Sequence, residues 1–401
     1  MKKTYEKYLF LIFLWALVLR IGFILTLNNN VDVWGDWWDE LGWKIASGQG
    51  YWVNNPYFPD GPRFYAWRSP GFPLFLAIIY KIFGHNYFAA KIGLAILSSL
   101  TCILIYFLGI TLIDKRTGLL SALLFSIYPP SIFWTGYLAP VTLEIFLMCG
   151  FTFFLMLGEK NSNIFYYFIS GIFLGFGILT RSLFLILLIF LFIYFILFYR
   201  EKFLKNYLLI TIPCLLVISP WGIRNYKIFK KFLITSTEGG IVCYIANNSN
   251  SLNEPSGYWN PPLEYFKKFE GLSEIEINNA LYKEAKNFIL NNPKTYLKLI
   301  FDRFKRYWRL YPHTFSGPGE NYKTYHVIIG FLTYTPLIFF GFAGLLKNIK
   351  IWRKFLFIYF LIIGWSLPII LFFKTVIRYR EPLSPFLIIF SVLFFKKNVE
   401  K

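Results

Sequence analysis

Residues 8–27, "YLFLIFLWALVLRIGFILTL", carry one charge in the whole stretch. A run of that length fits an α-helix crossing a hydrocarbon layer about 30 Å thick, which takes about 20 apolar residues at about 1.5 Å each. Lipid offers the backbone no water, so the segment must satisfy its own N–H and C=O groups, and a helix does so unaided. Comparable runs recur near 87–111, 118–136, 142–158, 164–180, 183–199, 207–221, 325–346, 353–373 and 382–396. The pattern predicts an all-α polytopic membrane protein with about ten transmembrane helices. Composition agrees: the 401 residues are 56% hydrophobic and 15% charged, against about 25% charged in an ordinary soluble domain.

The net charge of +20 would point to nucleic acid in a soluble protein. Here Lys and Arg sit in short clusters between apolar runs, which is how orientation is encoded in a bilayer. The expected partners are membrane lipids and no nucleic acid. With the N-terminus inside, the links "DKR" at 114–116, "EK" at 159–160, "REKFLK" at 200–205, "KNIKIWRK" at 347–354 and the tail "KKNVEK" all fall on the cytoplasmic side. The basic lead "MKKTYEK" resembles that of a signal peptide, but the apolar run behind it is long enough to span and no small-residue cleavage site follows, so it reads as a retained helix. The localisation predicted is an inner or plasma membrane, with both termini cytoplasmic. Of the four cysteines, Cys102, Cys149 and Cys214 lie inside apolar runs and Cys243 stands apart, so neither a disulfide framework nor a cysteine metal knuckle is expected.

Three parts follow from this topology: a transmembrane module over 1–221 with a first outer loop at 28–86, an extracytoplasmic region at 222–324, and C-terminal transmembrane helices over 325–401. Within the first loop, "PGFPLFLAIIYKIFG" at 70–84 is too short to cross and would invert every later basic link, so it reads as an interfacial helix. The region 222–324 contains an expected amphipathic helix near 273–309. Long loops on a rigid helical scaffold are where binding and catalysis concentrate.

The first loop begins with "GDWWDELGWKIASGQGYW", residues 35–52. Trp34, Trp37, Trp38 and Trp43 suit the headgroup layer as interfacial anchors. Anchoring does not account for Asp36, Asp39 and Glu40, which recur with Trp43 at helical spacings of three and four. Glu144 stands at the outer start of an otherwise apolar run, where an ionisable group faces a cavity, a partner or a metal, or else favours the helix dipole. Arg181, in "LTRSL", and Lys374, Arg378 and Arg380, in "KTVIRYREPLSPF", are cations facing outward against the charge rule, an arrangement suited to an anionic headgroup or phosphate. Trp221 and Arg224, in "SPWGIRNY", form an aromatic and basic rim at another outer helix end. Paired carboxylates also suit a divalent cation bound through oxygen, with Asp36 and Glu144 as candidate ligands; His85, His313 and His326 are scattered and no dedicated metal motif is present. A possible divalent ion is the sole cofactor expected.

The succession "GDWWDELGWKIASGQGY", "WRSPGFPLFLAIIYKIFG" at 67–84, "YP" at 128–129 followed by Glu144, "GFGILTRS" at 175–182, "SPWGIRNY" at 219–226, "STEGGIVCYIANN" at 236–248 and "RYREPLSPF" at 378–386 resembles the GT-C superfamily of integral-membrane glycosyltransferases. Within it the likeness is to the family-39-like group, related to protein O-mannosyltransferases and lipid A aminoarabinose transferases. The resemblance implies transfer of a sugar from a polyprenyl-phosphate donor to a lipid, glycan or protein acceptor at the extracytoplasmic face. It places an essential first-loop acid at Asp36, with Asp39 as the rival, a second acid at Glu144, and donor-phosphate contacts at Arg181 and at Arg378 or Arg380, with Lys374 beside them. Arg68, Tyr128, Trp221, Arg224 and Glu238 fall in the same motifs as candidate substrate contacts. Two alternatives remain open: a polysaccharide polymerase or ligase using a pyrophosphate-linked donor, and a lipid or sugar transporter, which would carry its ionisable residues nearer the midplane.

Overall fold

The structure is a computed structural model and describes residues 2–27, 37–58, 60–199, 203–254, 256–312 and 324–396. Among these residues there is no strand; one antiparallel bridge pairs Val53 with Phe64. The α-helices in chain order are α1 (Lys2–Leu25), α2 (Trp38–Ala46), α3 (Gly71–Phe83), α4 (Tyr87–Leu112), α5 (Lys115–Ser126), α6 (Pro129–Phe133), α7 (Val141–Asn161), α8 (Ile164–Thr180), α9 (Phe184–Phe198), α10 (Phe203–Phe229), α11 (Gly239–Tyr244), α12 (Leu263–Phe266), α13 (Glu274–Asn291), α14 (Pro293–Tyr307), α15 (Thr324–Lys347), α16 (Leu356–Phe372) and α17 (Ser384–Phe394).

Each apolar run anticipated above lies on a helix or on two helices in succession. By length and composition, six segments can cross a membrane: Tyr5–Leu25, Tyr87–Leu112, Val141–Asn161, Phe203–Phe229, Thr324–Lys347 and Ile349–Phe372. A seventh arises if Lys115–Ser126 and Pro129–Gly136 act as one span bent by 56°. The chain is an integral membrane protein. Ten full crossings would require α8, α9 and α17, of 17, 15 and 11 residues, to cross with fewer than the usual 20 or so. The bend after α5 has a local cause in "YPP": Pro129 restricts Tyr128, which is extended at φ −69° and ψ 110°, and a proline supplies no N–H to continue a helix.

The helices pack pairwise, and two of the pairs run parallel: Gly171 and Gly175 of α8 face Ile210 and Cys214 of α10, and Gly341 and Gly344 of α15 face Leu387 and Phe390 of α17. α4 packs on α1, α5 and α7; α7 packs on α8, α8 on α10, α9 on α16, and α15 on α17. α3 has 13 residues, about 20 Å of helix, and lies against α2 and the C-terminal end of α8. Two boundaries differ from the sequence reading. α10 runs on to Phe229 through Pro213 and Pro220, past the anticipated end at 221. The amphipathic stretch 273–309 is two helices, because Pro293 opens α14 at its first position, where a proline is tolerated, and ends α13 just before it.

Glu274 ties this later segment to the first long loop. Its carboxylate accepts from the backbone N–H groups of Tyr65, at 2.7 Å, and Ala66, at 3.0 Å, and from the Thr237 hydroxyl. Glu274→Ala leaves buried donors without acceptors, at about 1–3 kcal/mol each, and is expected to lower the melting temperature measured in detergent. Glu274→Gln, which keeps one acceptor oxygen, should fall between the two.

Candidate active site

A cavity of 330 Å³ opens where the first long loop, the α8–α9 link, the segment after α10 and the stretch after α16 meet. Its lining includes Trp38, Arg68, Ser69, Arg181, Ser182, Ser236, Glu238, Arg378 and Tyr379, with an apolar portion from Leu183, Leu185, Ile186, Val242, Ile369 and Phe373. α7 and α8 are consecutive and antiparallel, so the start of α7 and the end of α8 share one end of the bundle, and the site is built there.

At that end Glu144, fourth residue of α7, is fully buried. Arg181 ends α8 with extended backbone and directs its guanidinium at Glu144: Nε and Nη2 each lie 2.6 Å from Oε1. The second oxygen, Oε2, is buried with no hydrogen-bond partner among the described residues. The position in the first turn of α7 adds favourable helix-dipole interaction to the pairing. On its other side the Arg181 guanidinium stands 4.5 Å from the centre of the Tyr379 ring.

The opposite wall comes from the first loop. Gly71 allows it to approach: a Cβ there would lie 2.5 Å from Thr180 Oγ1 and 2.7 Å from the Thr180 nitrogen. No larger residue fits, and the close approach brings Arg68 and Ser69 beside Arg181 and Ser182. Arg68 forms an ion pair with Glu238 and is ringed by Trp37, Trp38 and Trp67, whose centroids are 5.9, 5.4 and 5.6 Å away. Trp37, just before α2, holds a left-handed conformation at φ 62°, uncommon for a bulky residue and a sign of strain held by its surroundings. Arg378 is buried, with its guanidinium 6.0 Å from the Trp38 ring and 5.5 Å from that of Tyr379.

The remaining candidates divide into those outside the cavity and those outside the described residues. Asp36 and Trp34 lie outside the described residues, as does His313. Asp39 does not line the cavity: it accepts from Tyr80 at 2.5 Å and Tyr87 at 3.3 Å and lies 3.1 Å from His85 Nε2, holding α2 to α3 and the start of α4. Glu40 pairs with Lys44 at 2.5 Å. Arg380, two residues from Arg378, turns away and donates to the carbonyls of Tyr307 at 2.8 Å and Arg309 at 3.0 Å, capping the end of α14. Tyr128 is buried against Tyr334, which donates to Glu381 at 2.9 Å. Lys374 sits over the Tyr258 ring at 5.0 Å. Trp221 donates to the Thr235 carbonyl at 2.7 Å, and Arg224 donates to the carbonyls of Tyr51 and Tyr65 at 2.8 Å each, fastening the first loop to α10.

Residues that sequence reasoning did not single out are Tyr379, Ser69, Ser182 and Ser236. Burial pushes the Tyr379 phenol up, but Lys374, Arg378 and Arg181 outweigh burial and hold its pKa at about 7. A tyrosine flanked by arginines in "RYR" was the available signal. For a metal, no group of three or more His, Cys, Asp or Glu side chains stands together among the described residues. Glu144 and Glu238 are each paired with an arginine, and Asp36, the other candidate ligand, lies outside the described residues.

The family model described as dolichyl-phosphate-mannose-protein mannosyltransferase matches residues 67–223. No curated protein sequence matches the chain. Among solved structures, the chain is similar to the Archaeoglobus fulgidus oligosaccharyltransferase AglB in complex with an inhibitory peptide and a dolichol-phosphate, with a TM-score of 0.59 at 16% identity over 98% of this chain and 50% of that one. The same Archaeoglobus enzyme in complex with Zn and sulfate gives a TM-score of 0.59 at 16% identity, over 96% of this chain and 48% of that one. ArnT from Cupriavidus metallidurans bound to undecaprenyl phosphate gives a TM-score of 0.59 at 14% identity, over 97% of this chain and 60% of that one. The chain thus spans about half the length of the archaeal enzyme. The chain shares the fold of these membrane enzymes, and its residues 67–223 match the mannosyltransferase family model.

Proposed function

We propose that this protein transfers a sugar from a polyprenyl-phosphate donor to an acceptor hydroxyl at the extracytoplasmic face of the membrane. The observation that carries this reading is one cavity holding Arg68, Arg181 and Arg378 beside an apolar portion of Leu185, Ile186, Ile369 and Phe373. Guanidinium groups suit a phosphate, and the apolar portion suits the first isoprene units of the carrier. The named structural neighbours bound to dolichol-phosphate and undecaprenyl phosphate support the same donor class. Among the described residues, three arginines stand against two carboxylates, Glu144 and Glu238.

In the reaction, the bond from the sugar's C1 to the phosphate oxygen breaks, and C1 bonds to the acceptor oxygen. Negative charge grows on the departing polyprenyl phosphate, and Arg181 and Arg378, already in place, stabilise it without reorganisation. The acceptor hydroxyl gives its proton to a carboxylate. Asp39 is engaged by Tyr80 and His85, which favours Asp36 as that base, while Glu144 orients Arg181. The acceptor is a glycan, a lipid or a protein.

Mass spectrometry of lipid-linked sugars with and without the gene tests this. Accumulation of a polyprenyl-phosphate sugar in the deletion strain, with loss of one surface glycan residue, is expected; unchanged lipid-linked sugars and surface glycans would refute the reading.

Tyr379 adds a pH dependence. Its folded pKa of about 7 lies below the free value of about 10, so the phenolate's stabilising contribution is complete above about pH 10 and is lost as pH falls through about 7. A bound phosphodiester competes with that phenolate for the same cations. Donor affinity is therefore expected to fall as pH rises above 7, by up to about tenfold per unit. Tyr379→Phe should flatten the profile, as read by equilibrium binding of a phosphodiester lipid between pH 6 and 9.

A further inference from the structure

Three serines from three separate segments meet in the cavity wall. Ser69 Oγ lies 3.5 Å from Ser182 Oγ, which lies 3.4 Å from Ser236 Oγ; all three residues line the cavity, and Ser69 and Ser236 are buried. A well-formed O–H···O bond is about 2.7–2.8 Å, so these contacts are loose. Three hydroxyls hold three donors and about six acceptor lone pairs between them, and two long contacts leave most of that capacity unused. Beside this line stand Glu238 and Arg68, a pair with no net charge, and further hydroxyls from Thr180, Thr235 and Tyr282.

This wall is neutral, whereas the wall formed by Arg181, Arg378 and Tyr379 is cationic. A phosphate placed against serines gains far less than one placed against guanidinium groups. Ring hydroxyls of a sugar, each both donor and acceptor, match a row of serines group for group, and the line is on the scale of one pyranose ring. The charge of the transferred sugar follows from the same inventory. An amino sugar would place an ammonium where the lining carboxylate among the described residues, Glu238, already serves Arg68. A uronic acid would place its carboxylate against a wall whose cation, Arg68, already serves Glu238.

We propose that Ser69, Ser182 and Ser236, flanked by the Arg68–Glu238 pair, form the subsite for the transferred sugar, and that this sugar is neutral. The inference rests on the polyprenyl-phosphate reading above.

The test uses the full-length protein in lipid nanodiscs and four synthetic lipids of one chain length: bare polyprenyl phosphate and its neutral hexosyl, aminopentosyl and uronosyl phosphodiesters. The hexosyl lipid is expected to bind more tightly than either charged-sugar lipid. Ser182→Ala, which removes the hydroxyl shared by both contacts, should weaken the hexosyl lipid by about three- to tenfold. Ser236→Ala should do so to a lesser extent, and bare polyprenyl phosphate should bind both variants as it binds the parent. Equal losses for bare and glycosylated lipids, no loss for either, or preference for a charged sugar would overturn the subsite while leaving the donor class standing. Failure of all four lipids to bind the parent protein would overturn both.

Discussion

Arg181→Ala is expected to lower transfer by about 10²–10³-fold, the usual cost of removing one preorganised charge donor from a transition state. The geometry allows a second explanation for the same loss. Arg181 is the ion-pair partner of Glu144, at 2.6 Å, and Glu144 is fully buried, so removing the arginine leaves a buried carboxylate without this cation, a change that costs about 3–5 kcal/mol in folded proteins. A double variant separates the two. If Arg181 serves only to neutralise Glu144, Glu144→Gln in the Arg181→Ala background removes the stranded charge and restores activity. If Arg181 holds the donor phosphate, stability recovers in the double variant and activity does not. The measurements are melting temperature and single-turnover transfer for the parent, both single variants and the pair, which give the coupling energy directly. Arg181→Lys, keeping the charge but losing the fork, should retain part of the rate. Recovery of activity along with stability would remove Arg181 from the phosphate site.

Glu144 and Arg181 could be picked out of the sequence because an ionisable residue in apolar surroundings is costly and needs a reason. Their separation of 37 positions is bridged by one helical hairpin, a topology the charge pattern already implied. Arg378 and Arg380 could not be told apart in the same way. They lie two apart on a 3₁₀ turn, Ile377–Leu383, where the repeat is about three residues, so their side chains leave in different directions, one to the cavity and one to the end of α14. The serine line was illegible for a different reason: Ser69, Ser182 and Ser236 belong to three loops with no common spacing, and serine is an ordinary loop residue. Tyr379 was hidden among 28 tyrosines, since its low pKa arises only when the fold collects Lys374, Arg378 and Arg181 around it. Glu274 illustrates the same limit, because its partners are backbone N–H groups more than 200 positions away. What periodicity and charge encode is where helices run; which side chains converge between helices depends on packing that no local pattern states.

Arg20 gives the other large effect, and its sign is the informative part. A lone arginine in a membrane helix is costly, about 2.5–3.5 kcal/mol at the centre on insertion scales, so Arg20→Leu should stabilise the protein if the residue were merely tolerated. The structure points the other way. Arg20 is fully buried, and its guanidinium donates to Ser98 Oγ at 2.7 Å, Ser131 Oγ at 2.9 Å, and the carbonyls of Ser126 at 2.9 Å, Ala16 at 3.0 Å and Phe125 at 3.4 Å. Five donors, the full complement of a guanidinium, thus meet five acceptors. Two of those acceptors are the last carbonyls of α5, beside the 56° bend; that of Ser126 lies where the helix cannot satisfy it itself and lipid supplies no water. Arg20→Leu strands the Ser126 carbonyl, at about 1–3 kcal/mol, while the Phe125 carbonyl keeps the Tyr128 N–H at 3.2 Å and the Ser131 hydroxyl at 3.1 Å. The expected result is a lower melting temperature and earlier unfolding in a denaturing-detergent titration, with Arg20→Lys intermediate because a single ammonium reaches fewer of the five acceptors. Equal or greater stability of Arg20→Leu would mean that the α5–α6 bend holds without the arginine. In that case prolines 129 and 130, not the guanidinium, would be what fixes it.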